Sequence, residues 1–371
     1  IHLHGDDLYD AEWKTGFAYT VSEDLPSGVY AAKLTRGDYS DYTVFFVAAP
    51  KREPRAKLAI WMSTYNYLAY ENLSLGATAP QNYPGHNLST SENDFMRANP
   101  RFATGGVYNQ HVDGTYFVYG TPHRPDMHMR PDGLVIYNFA QDTHATAFLE
   151  REGIPYDVIT DELVDREGAA LLDQYEVIVS SSHPEYITGS IWSGLSDFTA
   201  QGGRLIYLGG NGWFWLGGED PAFPGAYETR NFVAIGERML TNGHVGGLMV
   251  ETGRSPGPVV GVEMAAMIFN GSSAFEKLEE ADDPRAAWIF EDTSERNVFG
   301  TYGIDRVIGG AAGFEADKYN PGNGVPRHAL HLATNTEMHK KIENVKLGTL
   351  PLTISYDPPT PNWAGADIVF F

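Results

Sequence analysis

The stretch YEVIVSSSHPEY, Tyr175 to Tyr186, decides the fold. Glu176-Val177-Ile178-Val179 has the β-branched, apolar character of a strand buried on both faces of a parallel sheet. Gly189 to Ala200 reads as the helix that follows it. His183 and Glu185 therefore fall at the carboxyl end of a strand, where open α/β sheets place their ligands. Two residues apart in an extended turn, both side chains can face one pocket. In an arbitrary HxE pair the histidine usually caps a turn and the glutamate sits near a helix N-terminus. The rest of the chain favours a site.

Outward from this stretch, the pattern from Val135 to Leu216 is regular. It predicts a helix near Thr143 to Glu152, a strand over Tyr156 to Thr160, a helix near Arg166 to Leu172, the strand and helix above, and a strand over Arg204 to Leu208. Such a βαβ series implies a parallel sheet. It ends at GGNGWFW, Gly209 to Trp215, which puts Asn211 at another strand end and, by the open-sheet rule, on the same crevice as His183 and Glu185. Leu58 to Met62 predicts a further buried strand. Before it, SEDLPSGVYAAKL (Ser22 to Leu34) and SDYTVFFVAAP (Ser40 to Pro50) alternate around turn signals, as a small antiparallel β region does. Lys51 to Lys57 reads as a linker, so the expected domains are 1–55 and 56–371. Tyr65 to Asp132 has little periodicity and reads as a long functional loop. A helix is expected around Thr336 to Lys341. GADIVFF, Gly365 to Phe371, reads as a strand still in progress, and the chain opens on Ile1, so more protein is expected on both sides.

The 371 residues are 42% hydrophobic and 13% aromatic, enough for a large core. Twenty-six basic against 48 acidic residues give a net charge of −22, which repels phosphate backbones and anionic membranes and suits high salt. Neither nucleic acid nor membrane is an expected partner, since no apolar run approaches the roughly 20 residues of a span. The expected location is the bacterial cytoplasm. Zero cysteines exclude disulfides, thiolate metal sites and a cysteine nucleophile.

Several short motifs fail on chemistry. GRSPG, Gly253 to Gly257, has the spacing of a serine-hydrolase elbow, but Pro256 has no N–H to offer an oxyanion. HLHGDD, His2 to Asp7, starts like the HxHxDH of dinuclear zinc hydrolases, yet an aspartate replaces the last histidine. In HRPDMHMR, His123 to Arg130, Pro125 and Pro131 break any helix that would align two histidines. The tyrosines carry more. Tyr65, Tyr67 and Tyr70 follow the strand Leu58 to Met62 directly, and Tyr108 lies farther along the same segment. Most tyrosines are aromatic filler with one hydrogen-bonded hydroxyl. Phenolate and carboxylate oxygens together, however, suit a hard and highly charged ion such as ferric iron.

HGDDLYDAEW, SGVYAAKL, TYNYLAYEN, SSSHPEY, GGNGWFW, GGAAGFEAD and GADIVFF, in that order over residues 1 to 371, resemble the large subunit of N,N-dimethylformamidase and its relatives. The resemblance implies a parallel-sheet core similar to class I glutamine amidotransferases, without their cysteine. It implies a mononuclear iron, ferric, held by two tyrosines and a glutamate, carried over to Tyr67, Tyr108 and Glu185, with Tyr70 as the rival of Tyr67. His183, Asn211 and Glu315 would be the other polar groups of the pocket, with Glu315 or His183 moving the proton and Asn211 orienting the substrate. Trp213, Phe214 and Trp215 would shape it around two N-methyl groups. The implied reaction hydrolyses N,N-dimethylformamide, or a similar small amide, to formate and dimethylamine. The implied partners are a small helical subunit and a second large subunit in a hetero-oligomer. The reading from another class is a silent amidotransferase-like domain that binds carbohydrate or a protein.

Overall fold

The computed structural model describes residues 9–50, 55–72, 98, 106–111, 113–126, 129–131, 138–232, 238–293, 297–301, 310–335 and 365–371. HLHGDD, much of the 65–132 segment and the helix expected around Thr336 lie wholly or partly outside them. The chain forms two compact units, one of residues 1–209 with 215–252 and the other of 210–214 with 253–371.

The first unit is built on a four-stranded parallel sheet. Its spatial order is Tyr156–Thr160, Leu58–Met62, Val177–Ser180, Arg204–Ile206. The two central strands are the apolar runs the sequence marks, and Ala59 to Met62 and Ile178 to Ser180 are buried. Gly189–Ala200 is the predicted helix, capped by the Thr188 hydroxyl, which accepts from the Ile191 N–H. Phe139–Glu152 begins four residues ahead of its predicted start. The helix predicted near Arg166 is two, Asp161–Glu167 and Ala169–Leu172. Gly168, at φ +59°, breaks it with a conformation that side chains resist. Arg204–Ile206 stops two residues early, as an edge strand with one neighbour can.

The order of these strands positions the site. The second strand in the chain lies on one side of Leu58–Met62 and the third on the other. Connections therefore leave in opposite directions, and the carboxyl ends of Leu58–Met62 and Val177–Ser180 border the crevice where such sheets bind ligands. The hydroxyls of Ser63 and Ser181 hydrogen-bond there, just beyond the two strands.

The N-terminal hairpin, Gly28–Arg36 with Tyr39–Val47, is antiparallel and turns at Gly37. It shares the first unit's core: Val29, Val44 and Phe46 pack on Ile60, Met62, Tyr67, Phe139 and Val158. The Ser27 hydroxyl also accepts from the N–H of Val158 at 2.7 Å.

The second unit is antiparallel. Glu263–Ser273 pairs with Ala312–Lys318 through two register shifts. Val298–Phe299, Phe275–Lys277, Leu330–Thr334 and Asp367–Phe370 form a four-stranded sheet whose Leu330 and Leu332 pack with Ala281, Ala286 and Phe290. GADIVFF thus supplies the strand its apolar run predicts, pinned where Lys318 and Thr334 meet the Asp367 carboxylate at 3.0 and 2.6 Å. Among the described residues no helix is long and apolar enough to cross a membrane.

Candidate metal centre

The segment after Leu58–Met62 was expected to be irregular, but it opens with a short helix, Thr64–Ala69. Asp161 holds its first turn: the carboxylate accepts from the Tyr65 N–H at 2.8 Å and from the Trp61 indole N–H at 2.7 Å. Burial raises the Asp161 carboxyl well above the usual carboxylate range. Negative charge or lone pairs at a helix N-terminus complement its unpaired N–H groups. The helix ends at Tyr70, whose N–H still reaches the Asn66 carbonyl.

Two glycines bring the next parts of the chain against that last turn. A Cβ on Gly106 would lie 2.2 Å from the Ala69 carbonyl oxygen, and one on Gly120 would lie 2.3 Å from that of Leu68. Only glycine permits approaches this close. The Val107 N–H accordingly reaches the Ala69 carbonyl at 2.9 Å, and Tyr108 follows at once. Beside it, Arg124 donates to the Glu71 carboxylate at 2.7 Å, both side chains being buried. Asn72 donates to the Pro125 carbonyl at 2.6 Å. Tyr108 is thereby held beside Tyr70, with the two ring centroids 4.6 Å apart.

Their hydroxyls converge on Glu185. The Tyr70 hydroxyl donates to Glu185 Oε2 at 2.5 Å, and the Tyr108 hydroxyl lies 2.8 Å from that of Tyr70 and 3.3 Å from the same Oε2. His183 Nε2 stands 3.2 Å from Glu185 Oε2 and 3.3 Å from the Tyr70 hydroxyl. Tyr70, His183 and Glu185 are buried, and Tyr108 is half-buried. His183 and Glu185 are among the buried groups able to offer metal ligands. Two phenols and a carboxylate gathered within hydrogen-bond distance form an oxygen donor set that suits a hard trivalent or divalent cation.

Tyr67 stands elsewhere. Its hydroxyl donates to Asp142, and its ring packs on Phe139 and Phe46 in the core. Burial, then the neighbouring Asp142 carboxylate, raises the Tyr67 phenol well above its usual range and keeps it protonated. Asp142 itself is pushed up to about 6 by burial, against donors from Ser182 and Tyr67. The structure thus brings Tyr70, Tyr108, His183 and Glu185 together and leaves Tyr67 against Phe46, Phe139 and Asp142.

Asn211 and Glu315 belong to the second unit. Asn211, at φ +54°, donates its N–H to Asp317 at 2.6 Å, and Glu315 is buried on Ala312–Lys318 opposite Met267. Trp215, in the first unit, lies edge-on to Phe232. In GRSPG the Ser255 hydroxyl accepts from the Gly257 N–H at the turn into Gly257–Val260 and donates to Glu263.

Two residues escaped the sequence reading. Tyr186, the last residue of HPEY, donates to the Tyr108 hydroxyl at 2.5 Å, and Asn231 donates to Tyr186 at 2.6 Å. Adjacency to Glu185 was a signal for the first. No pattern in the sequence marks the second.

Residues 1–364 match the family described as N,N-dimethylformamidase beta subunit-like, C-terminal. The chain is 32% identical over its whole length to the N,N-dimethylformamidase beta subunit of Paracoccus aminophilus and, equally, to that of an Alcaligenes species. It spans about half the length of each. These matches correct the expected subunit: both relatives and the family description name the beta subunit, not the large subunit, and they do so across all of this chain. With the match running over residues 1–364, the chain belongs to the N,N-dimethylformamidase beta subunit-like, C-terminal family.

Proposed function

We propose that this chain carries the metal-binding catalytic part of an amide hydrolase that cleaves N,N-dimethylformamide, or a similar small N-substituted amide, to formate and dimethylamine. The observation that supports it most is the convergence of the Tyr70 and Tyr108 hydroxyls on Glu185 at the switch point of the parallel sheet. Family membership supports the amide chemistry. Tyr70, Tyr108 and Glu185 would hold a mononuclear ferric ion, with Tyr70 rather than Tyr67 as the first tyrosine. When bound, iron supplies Lewis acidity toward the amide carbonyl and favours the ionised phenols near neutral pH.

The chain's own residues do the remainder. His183, with Nε2 beside both Tyr70 and Glu185, is placed to hold a proton and deliver it to the departing dimethylamine, a poor leaving group unless protonated. Glu315 as base for the attacking water and Asn211 as the group orienting the substrate enter on the family resemblance. A tertiary amide has no N–H to recognise, so aromatic walls suit its methyl groups, and the Phe232, Trp215 and Tyr116 rings cluster on the Tyr108 side. A glutamine amidotransferase-like core and an assembly with a small helical subunit belong to the same reading.

The test is metal analysis with a visible spectrum and a formate-release assay on wild type, Tyr70→Phe, Tyr108→Phe and Glu185→Ala. Near-stoichiometric iron with a phenolate charge-transfer band that each change weakens, together with formate release from N,N-dimethylformamide, is the expected result. Folded, colourless, metal-free and inactive wild type would overturn the proposal and favour a silent binding domain.

A further inference from the structure

Behind Tyr108 runs a directed chain of hydrogen bonds. The Thr229 hydroxyl donates to Asn231 Oδ1, which turns Nδ2 of that amide toward Tyr186, and Nδ2 donates to the Tyr186 hydroxyl at 2.6 Å. With an N–H directed at its oxygen, Tyr186 sends its own proton onward and donates to Tyr108 at 2.5 Å. Thr229, Asn231 and Tyr186 are 2%, 5% and 0% exposed, so water does not compete for these bonds.

The anchors are rigid. Tyr186 lies on a two-residue strand parallel to Trp215–Leu216, and its ring stands edge-on to those of Tyr70 and Tyr108. The Thr229 N–H is tied to the Val118 carbonyl at 2.9 Å, and Tyr227 two residues earlier is tied through its hydroxyl to the Ile187 carbonyl at 2.9 Å.

We propose that Tyr186, oriented by Asn231, is a positioning residue that donates a hydrogen bond to the Tyr108 oxygen and so fixes the direction and the donor strength of that oxygen toward a metal. This rests on the reading of Tyr108 as a ligand. A donor aimed at a phenolate oxygen stabilises its charge and lowers the energy of its lone pairs, as outer-shell hydrogen bonds do for other metal ligands. Removing the donor raises those lone pairs and makes transfer of an electron from phenolate to iron easier. The Asn231 amide supplies the direction: an acceptor in its place would take the Tyr186 proton away from Tyr108.

The experiment compares absorption and resonance Raman spectra of the iron-loaded protein with those of Tyr186→Phe and Asn231→Asp, with iron content measured in each. Both variants are expected to retain iron and to show the phenolate-to-iron band at longer wavelength than wild type. Tyr186→Phe lacks the donor, and Asn231→Asp redirects it. Iron-retaining variants with the band in its wild-type place would overturn this inference while leaving the ligand assignment intact. Loss of iron from Tyr186→Phe combined with an unmoved band in Asn231→Asp would also overturn it. A wild-type protein that holds iron without any such band would overturn the assignment of Tyr108 and this inference together.

Discussion

Tyr70 and Tyr108, 38 positions apart in the chain, hold their hydroxyls 2.8 Å from each other, with their ring centroids at 4.6 Å. Both reach the same carboxylate oxygen of Glu185. The contact depends on a helix of six residues, two glycines and a buried ion pair, and each of these can be tested separately.

Tyr67→Phe and Tyr70→Phe should separate fold from site. Tyr67→Phe leaves Asp142 buried without one of its donors and is expected to cost about 1–3 kcal/mol of stability while iron stays bound. Tyr70→Phe should lose iron with a smaller effect on folding. Metal analysis alongside thermal unfolding of both variants checks the pair. Equal iron loss from both would return Tyr67 to the candidate ligands.

Gly120→Ala should disturb the site from outside it. A methyl group there meets the Leu68 carbonyl oxygen and carbon at 2.3 and 2.5 Å, backbone atoms that can move only with the helix end carrying Tyr70. Overpacking of this kind costs about 1–3 kcal/mol. Iron stoichiometry should fall together with the unfolding temperature, and a fully loaded variant would show that the helix end accommodates the methyl.

The Glu71–Arg124 pair is buried on both sides. Removing one partner strands the other charge, so Arg124→Ala should cost about 3–5 kcal/mol, whereas the paired change Glu71→Gln with Arg124→Met should cost much less than the sum of its parts. Denaturant unfolding of the two singles and the double gives the coupling. Additive costs would mean that the charges do not act as a pair.

Asp142 supplies a pH dependence whose sign is fixed. Burial raises its carboxyl from 3.8 to about 6. Between those values the unfolded chain has lost the proton and the folded chain keeps it, so stability falls as pH rises from about 4 to about 6. The contribution is fully present below the unfolded value and lost above the folded one. Its size is on the order of 3 kcal/mol. Subtracting the unfolding free energies of Asp142→Asn from those of wild type across this range should leave that downward slope, and a flat difference would contradict it.

By itself the sequence determined the parallel sheet, because strands buried on both faces read as short, mostly apolar runs spaced by helices, and Leu58–Met62, Tyr156–Thr160 and Val177–Ser180 read so. It also located Glu185 and His183, since residues just beyond such a run must lie at the strand's carboxyl end. It missed the helix Thr64–Ala69, which is too short to show a period and is held by Asp161, almost a hundred residues away. Only the tertiary structure shows that Tyr67 and Tyr70 meet different partners. Three residues apart and both buried, the two are told apart by their neighbours, Phe46, Phe139 and Asp142 around Tyr67 and Tyr108 and Glu185 around Tyr70, all distant in the chain. The relay through Tyr186 and Asn231 was likewise beyond the sequence, because the direction of a hydrogen bond is set by partners that only folding brings within reach.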